Sequence, residues 1–286
     1  MKLPPRPLLL AAVACILLVN ARAETLYVSN ASDSKILRID PSGSGVPFVT
    51  AGVNAPYGLA FDSAGNLYVA NNGTFSILKF TPAGVGTTFA TNAFNHPLSG
   101  MAFDAAANLF ASNNADGQVL MYTPDGVSSV FASTAFFGPT GLAFDSFGNL
   151  FVAFSGSNRI MKFTPGGVGT VFASTGLNGP VGLAFDSAGN LYSANYFDAK
   201  IYKFTAAGVG TLFYTGIPNL YGLTIDSANN LYVAYGTFEI QKISPGGVGV
   251  LFANNASAGV SAPTYLAVPP WSFSRRADFA FPMWNG

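Results

Sequence analysis

The sequence predicts an all-β fold: a six-bladed β-propeller with four-stranded blades, closed by the C-terminal strand joining the N-terminal blade. Three observations lead to this prediction. A Gly-Leu-Ala-Phe-Asp-like block recurs five times, with its glycines 40 to 42 residues apart. Four short apolar blocks occupy each repeat, and the chain begins and ends inside one unit.

The first block gives the first strand of each unit. Its copies are Gly58–Asp62, Gly100–Asp104, Gly141–Asp145, Gly182–Asp186 and Gly222–Asp226, with a degenerate sixth copy at Tyr265–Pro269. In the first full unit the second block is Leu67–Val69 and the third is Ile77–Phe80, while the fourth block centres on one phenylalanine, here Phe89. These blocks are rich in β-branched and aromatic residues and are bounded by turn residues, which is typical of strands. Four strands in about 41 residues match one propeller blade.

The offset of the repeats predicts how the ring closes. The chain opens with strands two, three and four of a blade, between Thr25 and Thr50, and ends with strand one, between Thr264 and Val268. Five full units lie between them. An open array would leave two apolar blade faces in water, so we expect the two partial units to combine into a sixth blade.

The N-terminus has the features of a signal peptide over residues 1–23. Lys2 and Arg6 precede the apolar run Leu8–Val19, and Ala21-Arg22-Ala23 is a small-residue cleavage site. The propeller domain is therefore predicted over 24–268, with a tail of unassigned structure over 269–286. We expect a secreted, periplasmic or cell-surface protein without an integral membrane segment after cleavage.

The single cysteine leaves one alternative for processing. Ala12-Val13-Ala14-Cys15 faintly resembles a lipoprotein cleavage box inside the apolar run. Cleavage after Ala23 instead removes Cys15, so that the mature chain has no thiol and no disulfide. Its stability must then come from packing.

The charge balance excludes one class of partner. Removal of Lys2, Arg6 and Arg22 from the 13 basic residues leaves 10 against 13 acidic residues, a net charge of −3. Nucleic-acid binding depends on clustered Lys and Arg, and no basic stripe remains. We expect a monomer whose partner is a protein, a peptide or a glycan.

The predicted topology brings a set of amides and aromatic side chains to one face, around the central channel. The loops after strand two contribute Asn30, Asn71, Asn113, Phe154, Asn195 and Tyr235, and the loops before strand one add Tyr57, His96 and Tyr221. Amides and aromatic rings together can hold a sugar or a peptide by hydrogen bonds and stacking. The alternative interpretation is that each asparagine caps its own loop.

Metal and cofactor chemistry has little support in the sequence. His96 is the only histidine, whereas catalytic zinc usually needs three protein ligands. Calcium is conceivable through oxygen ligands in the loops between strands two and three. The carboxylates there, one per blade and more typical of solvated or turn-forming groups, are Asp33, Asp116, Asp198 and Glu239. No cofactor is predicted.

Two further repeated residues are expected to be structural. An aspartate recurs at the turn between strands one and two, and a basic residue recurs on strand three, where we expect a solvated rim position with a packed alkyl stem. The aspartates are Asp62, Asp104, Asp145, Asp186 and Asp226; the basic residues are Arg38, Lys79, Lys162, Lys203 and Lys242.

The units resemble NHL repeats over about 26–268. Pro180–Asp186 fits the opening Pro-x-Gly-(Ile/Leu)-Ala-x-Asp pattern, Gly65–Asn71 fits the following Gly-Asn-Leu-Tyr-Val-Ala-Asn pattern, and Ser157–Ile160 fits Asn-Arg-Ile. The connector Thr164–Gly169 resembles that of exported bacterial NHL proteins. The resemblance implies a six-bladed propeller of the gluconolactonase-like superfamily. The tail, which begins Pro269-Pro270-Trp271, departs from the Pro-Glu-Pro sorting tag of many such proteins.

Two classes of function follow from these observations. The first is a non-catalytic binding module that recognises a glycan, peptide or protein at the polar face around the channel. The alternative is a metal-dependent lactonase, hydrolase or lyase of the six-bladed class. Related lactonases use a Glu, an Asn and an Asp around one ion, but only Glu24 and Glu239 are present. The missing catalytic groups favour binding.

Overall fold

A computed structural model describes residues 24–91, 96–236 and 238–270. The predicted signal peptide, Cys15 and residues 271–286 of the tail lie outside the described residues. The strands are β1 Leu26–Asn30, β2 Lys35–Ile39, β3 Gly45–Val49, β4 Pro56–Phe61, β5 Leu67–Asn71, β6 Ser76–Phe80, β7 Gly86–Thr91, β8 Leu98–Phe103, β9 Leu109–Asn113, β10 Gln118–Tyr122, β11 Ser128–Ser133, β12 Pro139–Phe144, β13 Leu150–Phe154, β14 Arg159–Phe163, β15 Gly169–Ala173, β16 Pro180–Phe185, β17 Leu191–Asn195, β18 Lys200–Phe204, β19 Gly210–Thr215, β20 Leu220–Ile225, β21 Leu231–Tyr235, β22 Glu239–Ile243, β23 Gly249–Asn254 and β24 Pro263–Ala267.

Within the described residues, helical structure is limited to three short segments. One α-helical turn, α1, covers Asn255–Ala258, and 3₁₀ turns cover Asn72–Thr74 and Ser155–Ser157. In the described ranges, no helix has the length and apolar character needed to cross a membrane.

The strands form six antiparallel four-stranded sheets, which confirms the predicted fold class. Blade 1 has the order β24-β1-β2-β3, and blades 2 to 6 take four consecutive strands each, from β4–β7 to β20–β23. The innermost strands β4, β8, β12, β16, β20 and β24 are neighbours around the axis. The C-terminal strand therefore completes the N-terminal blade, as the offset of the repeats predicts.

The recurrent aspartate organises the turn between the first two strands of a blade. Asp62 Oδ1 accepts the N–H groups of Ala64 and Asn66 at 3.0 and 2.8 Å, while its Oδ2 accepts from Asn66 Nδ2 at 2.7 Å. Gly65 supplies the left-handed conformation, with φ of 81°. Because the other four full blades repeat the two bonds from the asparagine, these aspartates are structural.

The recurrent lysine completes the same arrangement. In four blades its Nζ lies 3.2 to 3.9 Å from the turn aspartate and 5.2 to 5.3 Å from the centre of an aromatic ring on strand two. The lysine side chains remain about one-third exposed, at 33 to 35%. The predicted rim position with a packed stem is therefore observed, with an ion pair and a cation–π contact in addition.

Aromatic rings join each blade to the next. A β-bulge in the outer strand leaves the repeated phenylalanine of every unit without a partner in the ladder. In blade 1 that residue, Phe48, packs edge-on against Tyr27, and Tyr27 packs edge-on against Phe61 of blade 2, both at 5.0 Å between ring centres. The same three-ring stack recurs at the next three junctions.

The hydrophobic core is divided among the six junctions between blades. Each buried cluster contains residues of two adjacent blades. The junction of blades 6 and 1 includes Leu266 of β24, which is only 4% exposed. Beside it, Thr264 Oγ1 lies 2.8 Å from Ser29 Oγ, and the Tyr265 N–H donates to the same Ser29 oxygen at 2.9 Å. The closing strand is therefore held by apolar packing and by specific hydrogen bonds.

We expect that a chain ending at Val260 loses cooperative unfolding, because it lacks β24, the innermost strand of blade 1, and exposes β1 and the two junctions beside it. Thermal unfolding followed by circular dichroism and calorimetry measures the effect. A chain ending at Pro270 keeps β24 and serves as the control, which should unfold like the full protein. Equal melting of the two truncated chains would show that ring closure does not stabilise the fold.

Replacement of Tyr122 by Phe should raise the free energy of unfolding by about 1 kcal/mol, because it removes a polar group that is buried without compensation. The Tyr122 hydroxyl is buried without a hydrogen-bond partner in the described structure, and burial raises the pKa of Tyr122 to about 12. Urea denaturation measures the change. The control is Tyr232→Phe, which should lower stability because the Tyr232 hydroxyl donates to Asp226 at 3.4 Å. A loss of stability in Tyr122→Phe would contradict the assignment.

Acid should destabilise the protein through the turn aspartates. Burial acts to raise the pKa of Asp186, but hydrogen bonds from Asn190 and Lys203 outweigh it and hold that pKa below its ordinary value. A lowered folded-state pKa stabilises the fold above the unfolded value of about 3.9, and this contribution is lost as the pH falls through the folded value. Asp186→Asn should therefore reduce stability at pH 7 and flatten the acid limb of the stability curve. Asp125→Asn, at an exposed turn, is the control; an unchanged acid limb in Asp186→Asn would refute the role.

Candidate functional site

The loops after strand two and before strand one lie on the same side of the ring, as predicted, and we call this side the mouth face. A cavity of about 380 Å³ opens there at the axis, the mouth cavity. It is surrounded by the beginnings of all six innermost strands. Its lining from these strands is Tyr57, Ser99, Thr140, Val181, Tyr221, Gly222 and Tyr265.

Four tyrosines, which we call the tyrosine arc, occupy one side of the mouth face. They are Tyr57, Tyr196, Tyr221 and Tyr265. The rings of Tyr57 and Tyr265 are 5.6 Å apart, and those of Tyr196 and Tyr221 are 5.4 Å apart. Burial, followed by a hydrogen bond with Tyr196, raises the pKa of Tyr221 to about 12. Burial also raises the pKa values of Tyr57 and Tyr265, so these hydroxyls are protonated hydrogen-bond donors at neutral pH.

Tyr265 forms the floor of the mouth cavity because it puts a large side chain on the innermost strand at the position of the repeated glycine. The five other blades carry glycine at this position, where a Cβ would meet the neighbouring innermost strand at 2.1 to 2.7 Å. Tyr265 instead lines both the mouth cavity and a smaller cavity of about 150 Å³ further along the channel. The smaller cavity is lined largely by aliphatic side chains, among them Leu59, Leu142 and Leu183.

The opposite side of the mouth cavity is polar and uncharged. Ser99 and Thr140 come from β8 and β12, while Asn72 and Asn114 come from the adjacent loops. The amide of Asn72 pairs with Leu98 of the next blade, accepting its N–H at 3.0 Å and donating to its carbonyl at 2.9 Å. Among the residues that the structure describes, no Asp, Glu, Lys, Arg or His lines this cavity.

The four asparagines predicted to surround the channel are buried at the ends of their strands. Asn30, Asn71, Asn113 and Asn195 are each at most 2% exposed. Asn71, for example, accepts from the Asn54 N–H and donates to Thr74 Oγ1 at 2.7 Å and to the Gly52 carbonyl at 3.3 Å. These amides hold the loops of their own blades, in agreement with the alternative interpretation. The next residues along the chain after two of them, Asn72 and Asn114, line the mouth cavity instead.

The other predicted site residues have different surroundings. Phe154 is fully buried and packs edge-on against Phe136, with ring centres 6.0 Å apart. Tyr235 is half-buried, and burial, with a hydrogen bond to Glu239, raises its pKa to about 12. Tyr57 and Tyr221 do line the mouth cavity. His96 lies just before the cavity residue Pro97, so the structure brings three of the nine candidates to the cavity or its rim.

His96 forms the one acid–base pair that the structure describes beside the mouth cavity. Its Nδ1 lies 3.2 Å from Asp116 Oδ2, and Asn113 Nδ2 donates to the same carboxylate oxygen at 2.8 Å. The side chain of His96 is 46% exposed.

The loop carboxylates do not converge. Asp33 accepts from Asn30 at 3.0 Å, and Asp198 Oδ2 lies 3.5 Å from Lys200 Nζ, each within its own blade. In ranges 24–91, 96–236 and 238–270, no group of three or more His, Cys, Asp or Glu side chains could hold a metal ion. Whether the chain binds calcium or needs no cofactor, as the sequence predicts, is a question for experiment.

Exposed aromatic side chains surround the mouth cavity on the same face. Phe137 and Phe197 are 73% and 68% exposed, and Phe75 and Phe238 are 37% and 49% exposed. All four belong to loops after strand two or before strand one. Exposed apolar groups around a cavity are typical of a binding surface.

The comparisons with known proteins agree with the fold. No protein-family model matches the chain, and no curated protein matches its sequence. A chain of a nidogen/laminin complex is similar in structure, with a TM-score of 0.77 and 18% identity over 86% of this chain and 98% of that chain. A streptogramin B lyase has a TM-score of 0.67 and 18% identity over 82% of both chains. A gluconolactonase from Xanthomonas campestris has a TM-score of 0.65 and 20% identity, over 74% of this chain and 79% of that chain. The chain is thus similar in fold to proteins that bind other proteins and to enzymes.

Proposed function

We propose that this protein is an exported, non-catalytic binding propeller, which recognises a glycan, peptide or protein at the mouth face. The observation that carries the proposal is the mouth cavity itself. It is concave, lined by three residues of the tyrosine arc, and free of charged side chains among the described residues. Preformed recesses of this kind, mostly apolar with a few polar groups, are typical of ligand sites.

The surroundings of the cavity support recognition of a ligand larger than the recess. Phe137 and Phe197 project from the mouth face and offer aromatic contact area beyond the rim. Aromatic residues carry much of the binding free energy at protein interfaces, because they bury a large area with few rotatable bonds. Similarity in fold to a chain of a nidogen/laminin complex is consistent with this role.

A second candidate function is an enzyme that uses the pair of His96 and Asp116. A carboxylate beside an imidazole fixes the orientation of the ring, as a general base requires. The pair stands at the rim of the cavity, and similarity in fold to a lyase is consistent with it. Against it, neither His96 nor Asp116 lines the cavity, and no other Asp, Glu, Lys, Arg or His does so in the described part of the chain.

The proposal predicts that ligand capture depends on the mouth cavity. We expect Val181→Trp, which fills the cavity from β16, to reduce the affinity for a ligand found on arrays of glycans, peptides and extracellular proteins by at least about tenfold, because it occupies the ligand's space. Surface plasmon resonance with the purified protein measures the affinity. Mass spectrometry of the ligand after prolonged incubation measures any conversion.

The control for this experiment is Phe147→Ala. Phe147 is 84% exposed in a turn on the opposite face, so its removal should change neither affinity nor melting temperature. Equal affinities of Val181→Trp and the unmodified protein would refute the mouth cavity as the site. Chemical conversion of the ligand that disappears in His96→Ala would establish the enzyme instead.

A further inference from the structure

The shape of the mouth cavity restricts which part of a ligand can enter. Residues from β4, β8, β12, β16, β20 and β24 surround it on all sides, and Tyr265 lies across its floor. Beneath Tyr265 the channel narrows between aliphatic side chains such as Leu59 and Leu183, each 5% exposed. The cavity is therefore a recess and not a groove, and it suits the end of a chain or a protruding group.

The absence of charge in the described lining excludes one kind of chain end. A free peptide terminus carries a full charge at neutral pH, and burial of an unpaired charge costs several kcal/mol or shifts its ionisation. The described lining offers no Lys, Arg, Asp or Glu to pair with such a terminus. A neutral sugar at the end of a glycan meets no such penalty.

The two sides of the cavity match the two chemical characters of a pyranose ring. The rings of Tyr57, Tyr221 and Tyr265 provide aromatic surface for the C–H groups on one face of a sugar. The hydroxyls of Tyr57, Tyr265 and Ser99 have no hydrogen-bond partner in the structure as described, although each residue lines the cavity. Three hydroxyls that both donate and accept can therefore serve the hydroxyl groups of a sugar.

From this combination we infer that the mouth cavity binds the neutral terminal sugar of a glycan, stacked on the tyrosine arc and hydrogen-bonded by Tyr57, Tyr265 and Ser99. The inference rests on the proposed binding function and adds its ligand class. Tyr265 has the decisive position, because it replaces the glycine of the other five blades and provides the floor on which the sugar lies.

The test uses methyl glycosides of glucose, galactose and mannose, together with a neutral trisaccharide and a methyl glucuronide. Saturation-transfer NMR and calorimetry with the purified protein measure binding. We expect at least one neutral glycoside to bind, and the corresponding acidic glycoside to bind at least about tenfold more weakly, because its carboxylate has no partner in the cavity. Tyr221→Ala should weaken binding by at least about tenfold, and Tyr57→Phe by less, because it keeps the ring.

Controls separate the site from the fold. Phe147→Ala, on the opposite face, should bind the glycoside like the unmodified protein, and melting temperatures show whether each variant is folded. Should Tyr221→Ala be destabilised, Ser99→Ala gives a second, smaller truncation within the cavity. Glycoside binding that is unaffected by all three cavity variants would overturn the inference.

The outcome also distinguishes this inference from the proposed function. If no neutral glycoside binds, but a peptide or protein from the arrays binds in a manner sensitive to Val181→Trp, the sugar inference is wrong and the binding function stands. If nothing binds in a manner sensitive to Val181→Trp, both are wrong. If a glycoside binds and is converted, the ligand class stands and the non-catalytic function is wrong.

Discussion

The edge-to-face stack of three aromatic rings at the blade junctions is the interaction on which the architecture depends. The central ring comes from strand two and lies between the outer-strand phenylalanine of its own blade and a phenylalanine of the next, as Tyr27 lies between Phe48 and Phe61. Aromatic pairs of this geometry contribute about 0.5–1.5 kcal/mol each beyond the area they bury. Their position also fixes the distance and angle between neighbouring sheets. Ile225 and Val268 take the place of the second phenylalanine at the junction of blades 5 and 6 and at that of blades 6 and 1, so the contact there is aliphatic.

Ring closure and the mouth cavity depend on the same strand. β24 completes blade 1 through Leu266 and the bonds to Ser29, and it brings Tyr265 to the floor of the cavity. A chain in which β24 is undocked therefore lacks both the last innermost strand and the tyrosine that lines the mouth cavity from it. By linkage, a ligand that binds only the closed ring stabilises the docked strand by the free energy of its binding. The proposed binding at the mouth face is consequently coupled to the integrity of the fold without any second conformation of the blades.

The repeated pattern predicted the fold because each of its features corresponds to a local physical requirement. The spacing of the blocks predicted four strands per blade, and the split unit predicted that β24 pairs with β1. The site was harder to predict, because adjacent residues at a strand end point in different directions and a shift of one residue exchanges buried for exposed. Asn71 and Asn72 look equivalent in the sequence, yet Asn71 is buried in its loop and Asn72 lines the cavity. The sequence did contain one indication of this difference. Blade 4 has Phe154 at the position of Asn71, and an apolar residue there indicates that the position is buried.

Departures from the repeat give the mouth cavity its chemical character. Six identical blades would give a cavity with the same side chain on every side, suited to a symmetric ligand or to none. Here the tyrosines of the lining come from β20, β24 and β4, three consecutive strands, whereas β8 and β12 supply Ser99 and Thr140. The cavity therefore has an aromatic side and a hydroxyl side, and a ligand with two different faces can bind in one orientation only. Tyr265 is the sharpest departure, since the close approach of neighbouring innermost strands requires glycine at the same position of the other five blades. In the closing strand β24 this position accepts a tyrosine, while the other five blades keep their glycines and their close contacts. The floor of the cavity is therefore formed by the closing strand.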